Sequence, residues 1–232
     1  MIYKNFKNKV KHYWKKLDNE KNYTVPNETI FRLLSHGKFN FKNKKILDVG
    51  IGDGANLLEF HRRGAKIYGT DIREGMIKKF YKTYGFSSKN YFIADLNYEF
   101  PELKIKMDLI NCKDTIGFLD KNKQFDFIKD CQKHIKKNGF FLFQYIQKQL
   151  VKENTDMFDY NFKKNHTQLK VYFNKSNPIP FLSNNHIKDL IKDSGMKIEK
   201  SIFDITTHTK SKKQIIDINR YFLLRNKKQI IC

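Results

Sequence analysis

The segment that most constrains this chain is Lys44-Lys45-Ile46-Leu47-Asp48-Val49-Gly50-Ile51-Gly52-Asp53-Gly54-Ala55-Asn56-Leu57-Leu58-Glu59-Phe60. A short apolar run ends in glycines and passes directly into a pattern with Leu57, Leu58 and Phe60 at helical spacing. This predicts a strand, a tight turn, and a helix whose first backbone N–H groups are free to face a ligand. Glycine serves such a turn in two ways: it reaches backbone angles closed to other residues, and it lets a bound molecule come close to the main chain. The rest of the chain reads as a parallel sheet built outward from this unit.

Two cofactor classes fit the turn. Gly50-x-Gly52-x-x-Ala55 matches the dinucleotide fingerprint, with an acid, Asp71, about 20 residues further on. Asp48-x-Gly50-x-Gly52-x-Gly54 resembles the first motif of class I S-adenosylmethionine-dependent methyltransferases. An acid two residues before the first glycine suits a cofactor with a cationic amino-acid end. With no pyrophosphate to neutralise, a carboxylate near the helix start is tolerable.

The second strand, Ala65 to Thr70, ends at Asp71, where a carboxylate accepts from the hydroxyls of a ribose. Both cofactors carry such a ribose, so Asp71 does not separate them; Ile72 follows against the adenine ring. The third strand, Tyr91 to Ala94, leads to Asp95 and Leu96. In the resembled family a polar pair here binds the adenine amino group, with Asp95 as acceptor and the Leu96 N–H facing a ring nitrogen. Asp48, Asp71 and Asp95 then stand at or near three successive strands, on the edge where open α/β sheets bind ligands. An NAD-linked reductase would leave Asp48 and Asp95 without roles. The fourth strand, Met107 to Cys112, runs into Lys113 and Asp114, where the resemblance puts the meeting of the methionine end and the methyl acceptor.

The resemblance covers roughly residues 40–226. It implies a Rossmann-like, seven-stranded, mostly parallel sheet with helices on both faces, the last strand antiparallel, and an N-terminal helical lid. Residues 1–39 read as that lid, with one amphipathic helix over 2–17 and another from near Pro26 to Gly37. Residues 40–232 form the cofactor-binding domain. Within it come a helix over 121–136 stopped by Lys137-Asn138-Gly139, a fifth strand over 140–146, a helix over 184–194, and strands from about 197 to 205 and 216 to 226. Residues 147–182 are the least regular stretch and read as an insertion that shapes the acceptor pocket.

Composition bounds the function. The net charge of +22 invites a nucleic-acid partner, but the lysines are scattered and arginine is scarce. A nucleic-acid reader more often clusters arginines for bidentate contacts, so the charge reads as drift toward AT-rich codons. The field still attracts an anionic small substrate. No apolar run spans a membrane, and the basic N-terminus lacks the apolar core of a signal peptide. Cys112, Cys131 and Cys232 lack metal-ligand spacing and are odd in number, which fits free thiols in the cytoplasm. No His, Cys and acid cluster points to a metal. The expected partner is a small-molecule acceptor, with the chain a monomer or homodimer.

A methyl group leaves a sulfonium by in-line displacement, so the protein's task is alignment and exclusion of water. The 21 Phe and 12 Tyr offer electron-rich rings for the cation. A hydroxyl acceptor also needs a base, for which His166 and Asp114 are the candidates, ahead of His12, His134, His186 and His208. The reading is methyl transfer from S-adenosylmethionine to an O or N atom of a small polar metabolite, a sugar or sugar-linked or phosphorylated intermediate. An RNA methyltransferase and a non-catalytic cofactor-binding module are the alternatives.

Overall fold

The computed structural model describes residues 25–153, 170–171, 184–210 and 213–227. Strands β1 (Lys45–Val49), β2 (Lys66–Asp71), β3 (Tyr91–Ile93), β4 (Met107–Cys112), β5 (Ile135–Glu153), β7 (Lys197–Lys210) and β8 (Lys213–Arg225) form one sheet in the order β3-β2-β1-β4-β5-β8-β7. β8 runs antiparallel to both its neighbours, while the pairs among β1 to β5 are parallel. This is the mixed sheet expected from the sequence. The strand order turns outward from β1 in both directions, which makes the carboxyl end of β1 the topological switch point.

Strand alternation sorts the core into two layers. Ile46, Ile67, Leu109, Leu142, Tyr221 and Leu223 face α1 (Glu28–His36), α2 (Ala55–Arg62) and α3 (Glu74–Tyr84). Leu47, Val49, Ile110, Phe141, Phe143 and Leu224 face α4 (Lys121–His134) and α5 (Asn184–Ser194). Because both faces are covered, β1 and β4 read as nearly unbroken apolar runs. A fully buried side chain such as Phe60 or Leu33 stabilises the fold by roughly 1.5–3 kcal/mol. Polar residues inside such runs are therefore expensive, and the chain places them at the edge described below.

Several boundaries differ from the sequence reading, and the last two strands are longer than expected, Lys197–Lys210 and Lys213–Arg225. α4 ends at His134, and β5 begins at once at Ile135 instead of at Phe140. The Lys137-Asn138-Gly139 stretch is a bulge within that strand: pairing with β4 jumps from Met107–Ile135 to Leu109–Phe140, and Asn138 takes φ 63°. β3 stops at Ile93, one residue short. The stretch expected to be irregular from 147 is strand through Glu153, paired with β8 as far as Lys213. A two-residue strand, β6 (Lys170–Val171), pairs with Leu150 and Val151. β5 thus rises about ten residues beyond Phe143, the partner of the last residue of β4, and stands with β7 and β8 as a wall above the carboxyl edge. The expected 2–17 helix and His166 lie outside the described residues.

Candidate active site

Asp48 is the next-to-last residue of β1, Asp71 closes β2, and Asp95 lies just past β3, so all three carboxylates come to one edge. Between β1 and α2, Gly50, Gly52 and Gly54 have φ of 72°, 55° and 85°. Their surroundings differ. A side-chain carbon on Gly50 would overlap Oγ1 of Thr115, and one on Gly54 would overlap the Phe80 ring. One on Gly52 would meet nothing nearer than the Arg73 guanidinium, at 3.9 Å. Gly50 and Gly54 are therefore required by the protein's own packing. Gly52 alone offers bare backbone for a ligand to approach.

Asp71 holds this loop in shape. Its Oδ2 accepts from the Gly52 N–H at 3.0 Å, and its Oδ1 accepts from the Arg73 backbone N–H at 3.0 Å and Nε at 3.2 Å. An ionised carboxylate offers roughly four lone-pair sites, so a ribose bound there would share Asp71 with the Gly52 and Arg73 donors. Ile72 beside it is 44% exposed, an apolar surface suited to a planar ring. Asp95 accepts from the Asn97 N–H at 3.0 Å, and Asn97 Oδ1 accepts from the Asp120 N–H at 2.8 Å. That chain fixes the Asp95–Leu96 turn to the start of α4, with Leu96 half-buried against the core.

Asp48 is 2% exposed, beneath the loop. Its register partner on β4, Asn111, donates from Nδ2 to Oδ1 at 2.6 Å. Burial pushes the Asp48 carboxyl up to about 7, against the opposing pull of the Asn111 hydrogen bond and the Lys113 charge. Asn111 Oδ1 is buried and has no donor among the described residues. A carboxyl that titrates near neutrality beside an acceptor without a donor fits the cationic amino-acid end of S-adenosylmethionine, and Gly52 fits its close approach. Lys113, one residue beyond β4, completes the edge.

Past β4 the site becomes polar. Asp114 pairs with Lys113 and takes φ 55°, rare for a residue with a side chain. Its N–H donates to Gln144 Oε1 at 2.9 Å, and Gln144 Nε2 donates to Asn219 Oδ1 at 2.8 Å. Thr115 Oγ1 lies within hydrogen-bonding reach of the Val49 and Lys113 carbonyls. The start of α1 closes over this edge. The Asn27 N–H donates to Asn56 Oδ1 at 2.8 Å, and its Nδ2 donates to the Tyr221 hydroxyl at 3.0 Å. Burial, with the charges of Asp114 and Asp204 adding to it, pushes that hydroxyl up, so Tyr221 stays protonated.

The structure therefore brings Asp48, Gly50, Gly52, Gly54, Asp71, Ile72, Asp95, Leu96, Lys113 and Asp114 to one edge. Among the lower-ranked histidines, His134 stacks on Phe100 and His186 bonds Gln124 at 2.6 Å. Cys112 is fully buried with its thiol pushed up by burial, which removes it as a nucleophile. Sequence reasoning missed Asn27, Arg73, Thr115, Gln144, Asn219 and Tyr221. Two had a readable signal: Gln144 interrupts the apolar run Phe140 to Ile146, and Asn27 is a helix N-cap just before Glu28.

A family model described as a methyltransferase domain matches residues 46–139, from β1 into the start of β5. No curated protein matches the sequence at a significant level. Among solved structures, an S-adenosylmethionine-dependent methyltransferase from Clostridium acetobutylicum superposes with a TM-score of 0.60 at 14% identity, covering 94% of this chain and 98% of that one. The magnesium protoporphyrin IX methyltransferase of Synechocystis, with bound S-adenosylhomocysteine, gives 0.58 at 15% identity over 97% of each chain. The N-methyltransferase NodS of Bradyrhizobium japonicum gives 0.54 at 12% identity, with 86% and 85% covered. These likenesses carry the fold, and the domain match spans the glycine loop, the three strand-end carboxylates and the Lys113–Asp114 turn. Residues 46–139 match the methyltransferase-domain model, and the chain shares the fold of S-adenosylmethionine-dependent methyltransferases.

Proposed function

We propose that the protein methylates an O or N atom of a small polar metabolite, a sugar or a sugar-linked or phosphorylated intermediate. The observation that carries this reading is the run Asp114–Gln144–Asn219, backed by Tyr221 and Asn27, at the far side of the cofactor loop. Buried polar groups are stable only when hydrogen-bonded. These groups satisfy one another, and a wall lined with so many of them suits a polar partner better than an apolar one. One structural neighbour is by its name a magnesium protoporphyrin IX methyltransferase and another an N-methyltransferase, which agrees with a small-molecule acceptor.

S-adenosylmethionine supplies the activated methyl group. Gly52, Asp71, Ile72 and the Asp95–Leu96 turn hold its adenosine, while Asp48, Asn111 and Lys113 stand at its amino-acid end. Asp114, fixed by Lys113 and Gln144, accepts the acceptor's proton, with His166 the second candidate for that role. Radiolabelled methyl transfer to a panel of sugar, sugar-phosphate and amine acceptors tests the reading. Asp114→Asn is expected to lower kcat by about 10²- to 10⁴-fold with S-adenosylhomocysteine affinity unchanged. Unaltered kcat in both Asp114→Asn and His166→Ala would remove the base from the account.

A further inference from the structure

Arg220 of β8 sits in register between Tyr145 of β5 and Phe203 of β7. Its guanidinium carbon lies 3.8 Å from the centre of the Phe203 ring and 5.2 Å from that of Phe222. Nη2 donates to Ser201 Oγ at 3.2 Å, and Nε is buried with no acceptor among the described residues. Arg63, Arg73 and Arg225 each pair with a carboxylate, of Glu59, Asp71 and Glu199. Among the described residues Arg220 has no such partner. Asp204, next to Phe203 in sequence, instead accepts from Thr29 Oγ1 of α1 at 2.8 Å. Tyr145 gives no counter-charge either, because burial pushes its hydroxyl up to about 12 even against the pull of Arg220.

A guanidinium is always charged and carries its donors in a rigid fork that matches an oxyanion. Holding one among aromatic rings with a donor unused and no counter-charge is costly unless an anion completes it. The position is also informative. Tyr145 stands two residues beyond Phe143, the β5 partner of the last residue of β4, so Arg220 belongs to the wall above the carboxyl edge. Phe203 is 53% exposed, which leaves the cluster open to solvent.

We propose that Arg220, seated on Phe203 and steadied by Ser201, is an oxyanion site that takes a phosphate or carboxylate group, on the face of the wall that carries Phe143, Tyr145 and Phe222, across the sheet from Gln144, Asn219 and Tyr221. The scattered lysines raise the local concentration of any anion, whereas the Arg220 fork selects its geometry.

The test is calorimetric titration of the full chain with inorganic phosphate, and separately with acetate, at about 150 mM salt to screen the surface lysines. S-adenosylhomocysteine is titrated in parallel. The expected result is binding of at least one of the two oxyanions that weakens at least tenfold in Arg220→Met and less in Arg220→Lys, with S-adenosylhomocysteine affinity unchanged in both. Absence of oxyanion binding to the unaltered chain, or equal affinity in Arg220→Met, overturns the proposal. If Arg220→Met does not fold, Phe203→Ala at its exposed position replaces it. A several-fold loss supports the site and unchanged affinity overturns it. Because the readout is oxyanion affinity, an acceptor screen without a small-molecule product would count against the function proposed above and leave the oxyanion site standing.

Discussion

At the scale of single residues, Asp48 makes the site sensitive to pH. Its carboxyl titrates near 7 in the folded chain and near its ordinary value, 3.8, in the unfolded one. Its contribution to folding stability is therefore complete below about pH 4 and is lost as the pH rises to about 7. Binding a cationic cofactor favours the ionised form, so S-adenosylmethionine affinity should rise from pH 6 to 8 with proton release below about 7. Calorimetry in buffers of different ionisation enthalpy measures that release, and Asp48→Asn should abolish it. The glycines give a second contrast. Gly52→Ala places a side chain at φ 55° in open space, costs about 1 kcal/mol of stability, and should weaken S-adenosylhomocysteine binding at least tenfold. Gly54→Ala adds an overlap with Phe80 and should cost about 2–4 kcal/mol, seen as a lower denaturation midpoint.

At the scale of elements, β5 is the member that ties cofactor loop to acceptor wall. Its Gln144 bridges the backbone of Asp114 and the side chain of Asn219 in the core of the sheet. Gln144→Leu keeps the bulk but strands the Asp114 N–H and removes one bond of Asn219, so a loss of about 1–3 kcal/mol is expected in urea denaturation. Most of this framework was legible in the sequence. The acids Asp48, Asp71 and Asp95 marked the ends of three strands because ligand chemistry there needs fixed acceptors next to glycine. The start of β5 was not legible, because Lys137-Asn138-Gly139 reads as a helix stop whether the next residues form a loop or a bulge. Nor was the rise of β5 beyond Ile146 visible. Gln147, Lys148, Gln149 and Lys152 give a polar pattern that local propensity assigns to a loop, and pairing with β8 overrides it. Arg73 was hidden for a different reason: nothing local says that a guanidinium two residues after Asp71 will turn back onto it.

At the scale of the whole molecule, the net charge of +22 raises the question of nucleic acid again. The described basic residues are spread over the molecule and many pair locally, as Lys123 does with Asp126 and Lys129 with Asp193. Random-sequence RNA should therefore bind weakly at low salt and be lost by about 0.15 M, as fluorescence anisotropy would report; tight binding retained at that salt would favour an RNA substrate. Among the described residues no helix is long and apolar enough to cross a membrane. The account as a whole depends on the carboxyl edge of β1 to β4 holding S-adenosylmethionine, and calorimetric titration with S-adenosylhomocysteine, beside NAD and beside Asp71→Ala, tests this most directly. Micromolar binding of S-adenosylhomocysteine alone, at least tenfold weaker in the variant, is the expected result. No binding, or binding of NAD in its place, would contradict it.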